Sequence, residues 1–273
     1  MDGADIALLS DALRGTMAER TGPALDAALD ELGWRDMLAE IPEIAIPLVF
    51  RLLGETGAHA SIINDVLAPQ NPSAEYPLPM TGDLWLRWHR GTDTGCGALD
   101  PELPLSQSDP GPIPTDALIR GRIALGWWLA GSSRAMLEAA RAHALDRTQF
   151  GKPIAAFQAI RHRLAETLVA IEGAEAALSA ATVDLQADSA VPHEDSLLRA
   201  LLAKAAAGRA GLITSKHAQQ VHGGIGFTAE HCLHRHIRRV HMLDALLGSS
   251  RTLTREAGAV IREQSHAPRL IQL

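Results

Sequence analysis

The sequence predicts an all-α protein, and three observations favour this fold class. The 273 residues are 47% hydrophobic but only 4% aromatic, and the chain is rich in alanine and leucine, which favour helices. Apolar residues recur at helical spacing over several turns, for example at Ile160, Leu164, Leu168 and Ile171. A proline-rich middle region separates two helical parts and does not carry the pattern of a central β-sheet.

Residues 1–67 predict a small helical domain. Proline is favourable in the first turn of a helix and glycine is favourable just after its last turn, so these residues mark the expected boundaries. The predicted helices run from Asp5 to Glu19, from Pro23 to Gly33, and from Pro42 to the Gly54–Gly57 region.

Residues 68–115 differ from both flanking regions because they contain nine prolines. Proline has no amide hydrogen to donate to a strand ladder, so a central sheet is not expected here. The region has room for a few short strands, and we expect them at Leu84–Trp88 and around Ile113.

Residues 116–263 predict a bundle of four long helices, each with an apolar stripe that can face a common core. The first long helix is expected to be capped by Thr115 or Asp116 and to end at Asp146. The other three are expected from Phe157 to about Asp188, from Glu194 to Gln220, and from about Leu243 to Arg262. A short helix, capped by Thr228 and ending at Arg239, is expected between the last two, and residues 264–273 are expected to form a tail.

Charge and composition narrow the function classes. A net charge of −7 and a pI near 5.9 provide no basic surface for nucleic acid. No apolar run is long enough to span a bilayer, and the first residues are acidic where a secretory leader would be basic. Cys96 and Cys232 alone make no disulfide framework. We therefore expect a cytoplasmic protein that binds neither nucleic acid nor membrane.

The first motif is RTQFGKPIAAFQ, from Arg147 to Gln158. Gly151 can adopt a positive φ and Pro153 cannot continue a preceding helix, so we expect a turn between two helices. A guanidinium in such a turn can donate two parallel hydrogen bonds to a phosphate or carboxylate. The alternative is an Arg147 that closes a helix end and a Phe150 that lies in the core.

The second motif is QQVHGGIGF, from Gln219 to Phe227. Three glycines in four positions allow a ligand to approach the backbone closely, and their amide groups can form a concavity for an anion. The motif follows a helix and not a strand, so it does not match a dinucleotide-binding fingerprint.

The chain resembles the C-terminal helical domain of the acyl-CoA dehydrogenase family in the order of its motifs. These are R-x-Q-F-G-K-x-I-x-x-x-Q, then a long helix pair, and then Q-x-x-G-G-x-G-F. The resemblance covers about Thr115 to Ile261. It implies that residues 1–67 are a shortened N-terminal helical domain, that 68–115 are a remnant of a largely deleted β-domain, and that 116–263 are the family's four-helix bundle.

The resemblance also implies FAD as the cofactor. In family homo-oligomers both motifs reach across an interface to an FAD that is bound mainly by the neighbouring subunit. The residues so implied are Arg147 for the pyrophosphate, Phe150 and Gln158 for contacts near the cofactor, and Gln220, Gly223 and Gly224 for the adenosine end.

The family's catalytic base is missing from this sequence. Acyl-CoA dehydrogenation needs a carboxylate that removes the α-proton while the β-hydride passes to the flavin. Most members carry this base at the position matched by Leu247, and others at the position matched by Gly121. Neither residue can accept a proton, and a helix would turn the nearby Asp244 away from the Leu247 position. We therefore predict no catalytic residue in this chain.

Six histidines between His217 and His241 raise the question of a metal site. On a helix, His231 and His234 share one face, but His236 is turned away from it. No carboxylate completes a ligand set, so ordinary surface or interface histidines are favoured and no metal is predicted.

More specifically, the chain resembles the shortened, non-catalytic β-type subunits of heteromeric actinobacterial acyl-CoA dehydrogenases. This implies a full-length partner subunit, in an α2β2 heterotetramer, that carries the base and binds most of an acyl-CoA such as a steroid degradation intermediate. The chain would complete the partner's FAD site and be inactive alone. Two alternatives remain open: a homo-oligomeric enzyme with an unassigned base, and a non-enzymatic binding or structural protein.

Assembly is also expected from the apolar residues of the bundle. We predict a dimer or tetramer built on the faces that carry Trp127, Trp128 and the apolar stripe of the Phe157 helix, because obligate interfaces resemble a divided core.

Overall fold

The computed structural model describes residues 3–71, 73–91, 100–186, 193–228 and 230–264. Within these residues the chain is mostly helical, which confirms the predicted fold class. The helices are α1 (Gly3–Glu19), α2 (Pro23–Glu31), α3 (Trp34–Glu40), α4 (Pro42–Thr56), α5 (Ile63–Leu67), α6 (Thr115–Asp146), α7 (Gln158–Thr182), α8 (His193–His222), α9 (Leu233–Ala245) and α10 (Ser250–Gln264). The strands are β1 (Pro77–Met80), β2 (Leu84–Trp88), β3 (Leu105–Gln107), β4 (Thr148–Gln149) and β5 (Lys152–Pro153).

The N-terminal helices pack onto α6 through α4. The apolar stripe of α4 is fully buried, and the helix continues through Pro47. Gly54 of α4 and Gly131 of α6 allow the two backbones to touch, because a Cβ at either glycine would overlap the backbone of the other helix. The sequence did not predict α3 as a separate helix; it begins after Gly33, whose φ of 79° interrupts the helical path from α2.

Strands β1, β2 and β3 form one small antiparallel sheet in that order. The two prolines of β1 are tolerated because β1 lies at the edge of the sheet. The strand predicted around Ile113 is wrong: residues 111–114 form no strand, and the neighbouring prolines remove the amide donors that pairing requires. The strand predicted at Leu84–Trp88 is confirmed as β2.

The centre of the core is a group of aromatic rings beneath α6. Trp128 lies with its ring centre 5.8 Å from Phe50 and 5.8 Å from Trp88. The indole N–H of Trp127 donates to Thr182 Oγ1 at 3.0 Å. Trp127 and Trp128 are buried within the chain, so the prediction that they form an assembly face is wrong. The sequence shows that these residues are apolar but does not show that α4 and the small sheet already cover them.

The C-terminal helix boundaries differ from those predicted. Thr228 does not cap a helix, because it follows the turn Gly223–Phe227 and α9 begins only at Leu233. Leu243 belongs to α9, which ends at Ala245. The helical path is interrupted after it because Leu247 and Gly248 have φ values of 56° and 102°. Ser249 precedes α10, and its Oγ accepts the backbone N–H of Thr252, while Asp244 accepts the backbone N–H of Ser250.

Other boundaries move by a few residues. Helix α6 begins at Thr115 itself, with Pro114 before it and no side-chain cap on its first turn. Helix α7 ends at Thr182 and is followed by a 3-10 turn to Leu185, short of the predicted end at Asp188. Gln264 ends α10, whereas residues 265–273 of the predicted tail lie outside the described part of the chain.

Across the described segments, every helix is too short or too polar to serve as a membrane span.

Candidate functional site

The first motif forms a tight hairpin between α6 and α7. Strands β4 and β5 pair on either side of Phe150 and Gly151, whose φ values are 52° and 77°. Positive φ at both central residues is typical of the turn that matches the twist of a two-residue hairpin. Arg147 directly follows the last residue of α6, and its backbone N–H donates to the carbonyl of His143 at 2.9 Å. The predicted turn between two helices is confirmed.

The side chains of this hairpin face solvent. Phe150 is 91% exposed, so the alternative that places it in the core is wrong. Its ring lies edge-on to Phe157 with the centres 6.2 Å apart, and the ammonium of Lys152 lies 4.6 Å from the centre of the Phe157 ring. Arg147 is exposed and makes no ion pair with any residue that the structure describes. The hairpin thus presents a cation beside an aromatic ring.

The second motif forms a single 3-10 turn at the end of α8. Gly223 has a φ of 63°, and a Cβ added to Gly223 or Gly224 would meet no atom within 4 Å. The backbone is therefore open to close approach at these two positions. Gly226 differs, because a Cβ there would lie 2.9 Å from the Cβ of His222. Only two of the three glycines are available to a ligand.

A stack of three imidazoles joins the two motifs. His143 of α6 stacks on His222, the last residue of α8, with the ring centres 4.6 Å apart. His231, just before α9, meets His222 edge to face, with the ring centres 4.5 Å apart. Since His143 lies one turn before Arg147 and His222 immediately precedes Gly223, the stack brings the hairpin and the glycine turn to the same end of the bundle.

This stack was not predicted from the sequence, in which His222 and His231 belong to a crowded group of histidines and His143 is distant along the chain. The available signal was the position of His143, one helical turn before Arg147, together with the position of His222 directly before the glycines. That spacing does not by itself show that the ends of α6 and α8 meet.

The two predicted glutamines are accessible at the same motifs. Gln158 is exposed at the first position of α7, with its side-chain nitrogen 3.3 Å from His162 Nε2. Gln220 is exposed on the last turn of α8. An exposed guanidinium, exposed aromatic rings and an open glycine backbone fit a ligand that has both a pyrophosphate and planar rings, as FAD does.

The two residues that the sequence resemblance matches to the family base, Leu247 and Gly121, lie against each other. Leu247 is 1% exposed, and a Cβ at Gly121 would lie 2.7 Å from its Cδ1 and 2.8 Å from Cδ2 of Leu67. The backbone N–H of Leu247 donates to the carbonyl of Pro79 at 2.8 Å. The absent side chain at Gly121 therefore leaves room for Leu247, and apolar packing fills the space between these two residues.

Two buried cations hold the backbone around Leu247. Arg122 Nε donates to the carbonyl of Leu247 at 3.1 Å. Lys204 Nζ donates to the carbonyls of Asp244 and Gly248 at 3.1 and 3.2 Å. Burial lowers the pKa of Lys204 to about 8. Asp244 is buried and accepts the backbone N–H of Ser250, the first residue of α10.

The histidines considered as metal ligands do not converge. His231 lies before α9 and not on it, which corrects the predicted shared helix face, and its ring packs on His222. His234 Nδ1 donates to the carbonyl of His231 at 2.7 Å. His236 lies beside Gly57, and burial followed by the charges of Arg239 and Arg235 lowers its pKa to about 4. Among the residues described, no group of three or more histidine, cysteine or acidic side chains could hold a metal.

An apolar groove of about 700 Å³ lies between α6 and α7. Its floor includes Leu137, Leu164 and Leu168, and Ala155 at the end of the hairpin lies at its edge. Leu145 in its lining is 51% exposed, and Val169 of α7 is 73% exposed. Exposed apolar side chains are therefore found on α6 and α7 here, whereas Trp127 and Trp128 are buried.

Comparison with known proteins identifies relatives of the chain. A family model described as "Acyl-CoA dehydrogenase, C-terminal domain" matches residues 112–261. The chain is 28% identical over 200 residues to the acyl-CoA dehydrogenase IpdE2 of Mycobacterium tuberculosis, a match that covers 70% of this chain and 58% of IpdE2. The chain spans between 17% and 58% of the lengths of the first three curated relatives that it matches.

Solved structures of low sequence identity share the fold. A chain of the Tcur3481-Tcur3483 steroid ACAD superposes with a TM-score of 0.71 at 18% identity, covering 96% of this chain and 99% of that chain. A chain of the ChsE4-ChsE5 complex from Mycobacterium tuberculosis superposes with a TM-score of 0.69 at 16% identity, covering 98% of this chain and 99% of that chain.

Proposed function

Because the chain belongs to the acyl-CoA dehydrogenase family, we propose that it is a subunit that completes the FAD site of a partner subunit. The partner carries the catalytic base and oxidises an acyl-CoA to the 2-enoyl-CoA. One observation supports this proposal: the two motifs that resemble the family's cofactor motifs are open to solvent at one end of the bundle, whereas Leu247 and Gly121, which match the family's base positions, are packed against each other.

FAD, when bound, supplies the acceptor for the β-hydride of the substrate. In this proposal Arg147 pairs with the pyrophosphate and Phe150 packs against the cofactor, with Gln158 nearby. The exposed side of the glycine turn meets the adenosine end, through Gln220, Gly223 and Gly224. A charge-assisted, bidentate contact suits Arg147 because no described side chain competes for its guanidinium.

A partner is proposed because little sheet structure lies between the two helical parts of this chain. Among the described residues there, the small sheet β1–β3 is the only one. The flavin ring and the acyl group then require surfaces from another subunit. The Tcur3481-Tcur3483 steroid ACAD and the ChsE4-ChsE5 complex each combine two proteins, and their shared fold supports the same arrangement here. We propose an α2β2 heterotetramer in the cytoplasm that acts on a steroid-derived acyl-CoA.

The partner is expected to cover the exposed part of the bundle. The groove between α6 and α7 ends at the hairpin that carries Arg147 and Phe150, and it is lined by leucines and by Arg134, Arg141 and Arg161. A subunit that docks there would bring its FAD to the hairpin, and this docking replaces the role that the sequence analysis gave to Trp127 and Trp128.

The test is to remove the Arg147 guanidinium in a co-expressed complex with a full-length dehydrogenase subunit. A hydrogen bond to a charged group contributes about 1.5–3 kcal/mol, so Arg147→Ala should weaken FAD binding by roughly ten- to a hundredfold. Arg147→Lys should recover only part of this loss, because an ammonium cannot reproduce the planar fork.

The control is Arg209→Ala, which removes another exposed arginine from α8, away from both motifs. Flavin absorbance per complex after gel filtration and the dissociation constant for added FAD are both measured. An Arg147→Ala complex that binds FAD as tightly as the Arg209→Ala complex contradicts the proposed contact.

A further inference from the structure

Hydrogen bonds define the tautomers of two rings, His222 and His231, in the imidazole stack of His143, His222 and His231. His222 Nδ1 lies 2.8 Å from the carbonyl of Ala218, which can only accept, so Nδ1 carries the hydrogen. His231 Nδ1 accepts the backbone N–H of Leu233 at 3.1 Å, so its hydrogen is on Nε2. Leu233 is the first residue of α9, and this bond therefore helps to start that helix.

A second proton has no place in this arrangement. Nε2 of His222 is buried without a hydrogen-bond partner among the described residues, so a hydrogen added there would point at no acceptor. A second hydrogen on His231 would have to displace the N–H of Leu233 from Nδ1. Two charged rings with centres 4.6 Å apart would also repel each other.

The surrounding charges mostly favour the neutral rings. Around His143, burial has the largest effect, and His231 and Arg147 also lower its pKa, whereas Asp146 acts in the opposite direction. Around His222, burial again has the largest effect on the lowered pKa, opposed by the carbonyl of Ala218 and aided by His143 and His231.

We propose that this stack is a positioning device that holds the Arg147 hairpin and the Gly223 turn together for FAD, and that protonation of His143 and His222 in mild acid releases the cofactor. The inference rests on the proposed function, because the stack is inferred to hold the two motifs of the same proposed FAD site in place. The connection is short on both sides. The backbone carbonyl of His143 accepts the backbone N–H of Arg147, and Gly223 is covalently attached to His222.

The sign of the pH effect follows from the direction of the shifts. The pKa values of His143 and His222 are below their ordinary value in the folded chain, so acid favours any state in which the rings separate and take up protons. FAD retention should thus be full at pH 8 and should fall by about tenfold or more by pH 5.5.

The decisive variant is His143→Phe in the co-expressed complex. Phenylalanine keeps an aromatic ring on His222 but cannot be protonated, so the loss of FAD between pH 8 and pH 5.5 should shrink severalfold. His143→Ala removes the ring and should weaken FAD binding even at pH 8. His217→Gln is the control, because His217 lies on α8 with His222 but outside the stack, burial also lowers its pKa, and it contacts Thr167. It should keep the full pH dependence.

A second measurement does not need FAD. Nitrogen-15 spectra of the imidazoles in this chain should show hydrogen on Nδ1 of His222 and on Nε2 of His231 at pH 7. Both rings of the His143–His222 pair should resist protonation at pH 6. A protonated His222 at pH 7 overturns the proposal. So does an FAD-loaded complex whose FAD retention is independent of pH or is changed equally by His143→Phe and His217→Gln. A complex that holds no FAD at any pH contradicts the proposed function instead, while the spectra still test the stack.

Discussion

The contact between Gly121 and Leu247 makes a quantitative prediction about stability. Leu247 is 1% exposed, so Leu247→Ala should lower the free energy of unfolding by about 2–5 kcal/mol, the usual cost of a large-to-small change in a core. Gly121→Ala introduces a methyl group 2.7 Å from Leu247 Cδ1. Overpacking of this kind costs about 1–3 kcal/mol, partly offset by about 1 kcal/mol of improved helix propensity.

The two changes should not add. In the Leu247→Ala background the new methyl group enters the vacated space, and the flexible end of Leu67 can move away from it. Gly121→Ala should then be neutral or stabilising, and the coupling free energy between the two sites should be about 1–3 kcal/mol. Urea unfolding of the wild-type chain, both single variants and the double variant measures this coupling.

Gly126→Ala provides the matched control on the same helix. A Cβ at Gly126 would meet Leu178 at 2.4 Å and does not approach Leu247. Its effect on stability should be the same with and without Leu247→Ala. If Gly121→Ala and Gly126→Ala are equally additive with Leu247→Ala, Leu247 does not fill the space over Gly121, and the account of the filled base position is wrong.

Two further predictions concern buried titratable groups, and both are checked by unfolding across a pH range. Lys204 has a folded pKa of about 8, below the ordinary 10.5. Between these pH values the unfolded chain binds one more proton than the folded chain, so the free energy of unfolding should rise with pH there. Lys204→Met should abolish this rise, and it should lower stability at pH 7 by about 1–3 kcal/mol because the carbonyls of Asp244 and Gly248 lose their donor. A rise of the same size in Lys204→Met would assign it to another group. Burial and the charges of Arg239 and Arg235, opposed by Glu102, lower the folded pKa of His236 to about 4. As the pH falls from 6.5 to 4, the unfolded chain takes up a proton that the folded chain does not, so the free energy of unfolding should fall by about 3 kcal/mol. His236→Leu should flatten this dependence on pH, and an unchanged slope would contradict the assignment.

The helical architecture could be predicted because its signals are local. Ile46, Val49, Phe50 and Leu53 recur at helical spacing, and all four are fully buried on α4. The hairpin at Phe150 and Gly151 was also predictable, since glycine and proline punctuate the chain there.

The features that the sequence did not reveal depend on contacts between distant segments. The break between α9 and α10 is held by Pro79, Arg122 and Lys204, which bond to the backbone around Leu247 and Gly248. Leu247 is a residue that rarely adopts a positive φ, so no local rule placed a break there. The imidazole stack likewise combines three elements. Burial of the tryptophans depends on which helix covers them, and apolar spacing does not show that.

The measurement that tests the central claim most directly is the amount of FAD per subunit. The chain is co-expressed with a full-length acyl-CoA dehydrogenase subunit, the complex is purified by gel filtration, and flavin absorbance is compared with the quantity of each chain. The account predicts one FAD for each pair of unlike subunits and a colourless preparation of this chain alone. If the isolated chain retains one FAD per molecule through gel filtration, it forms a complete flavin site by itself, and the proposed division between the two subunits is contradicted.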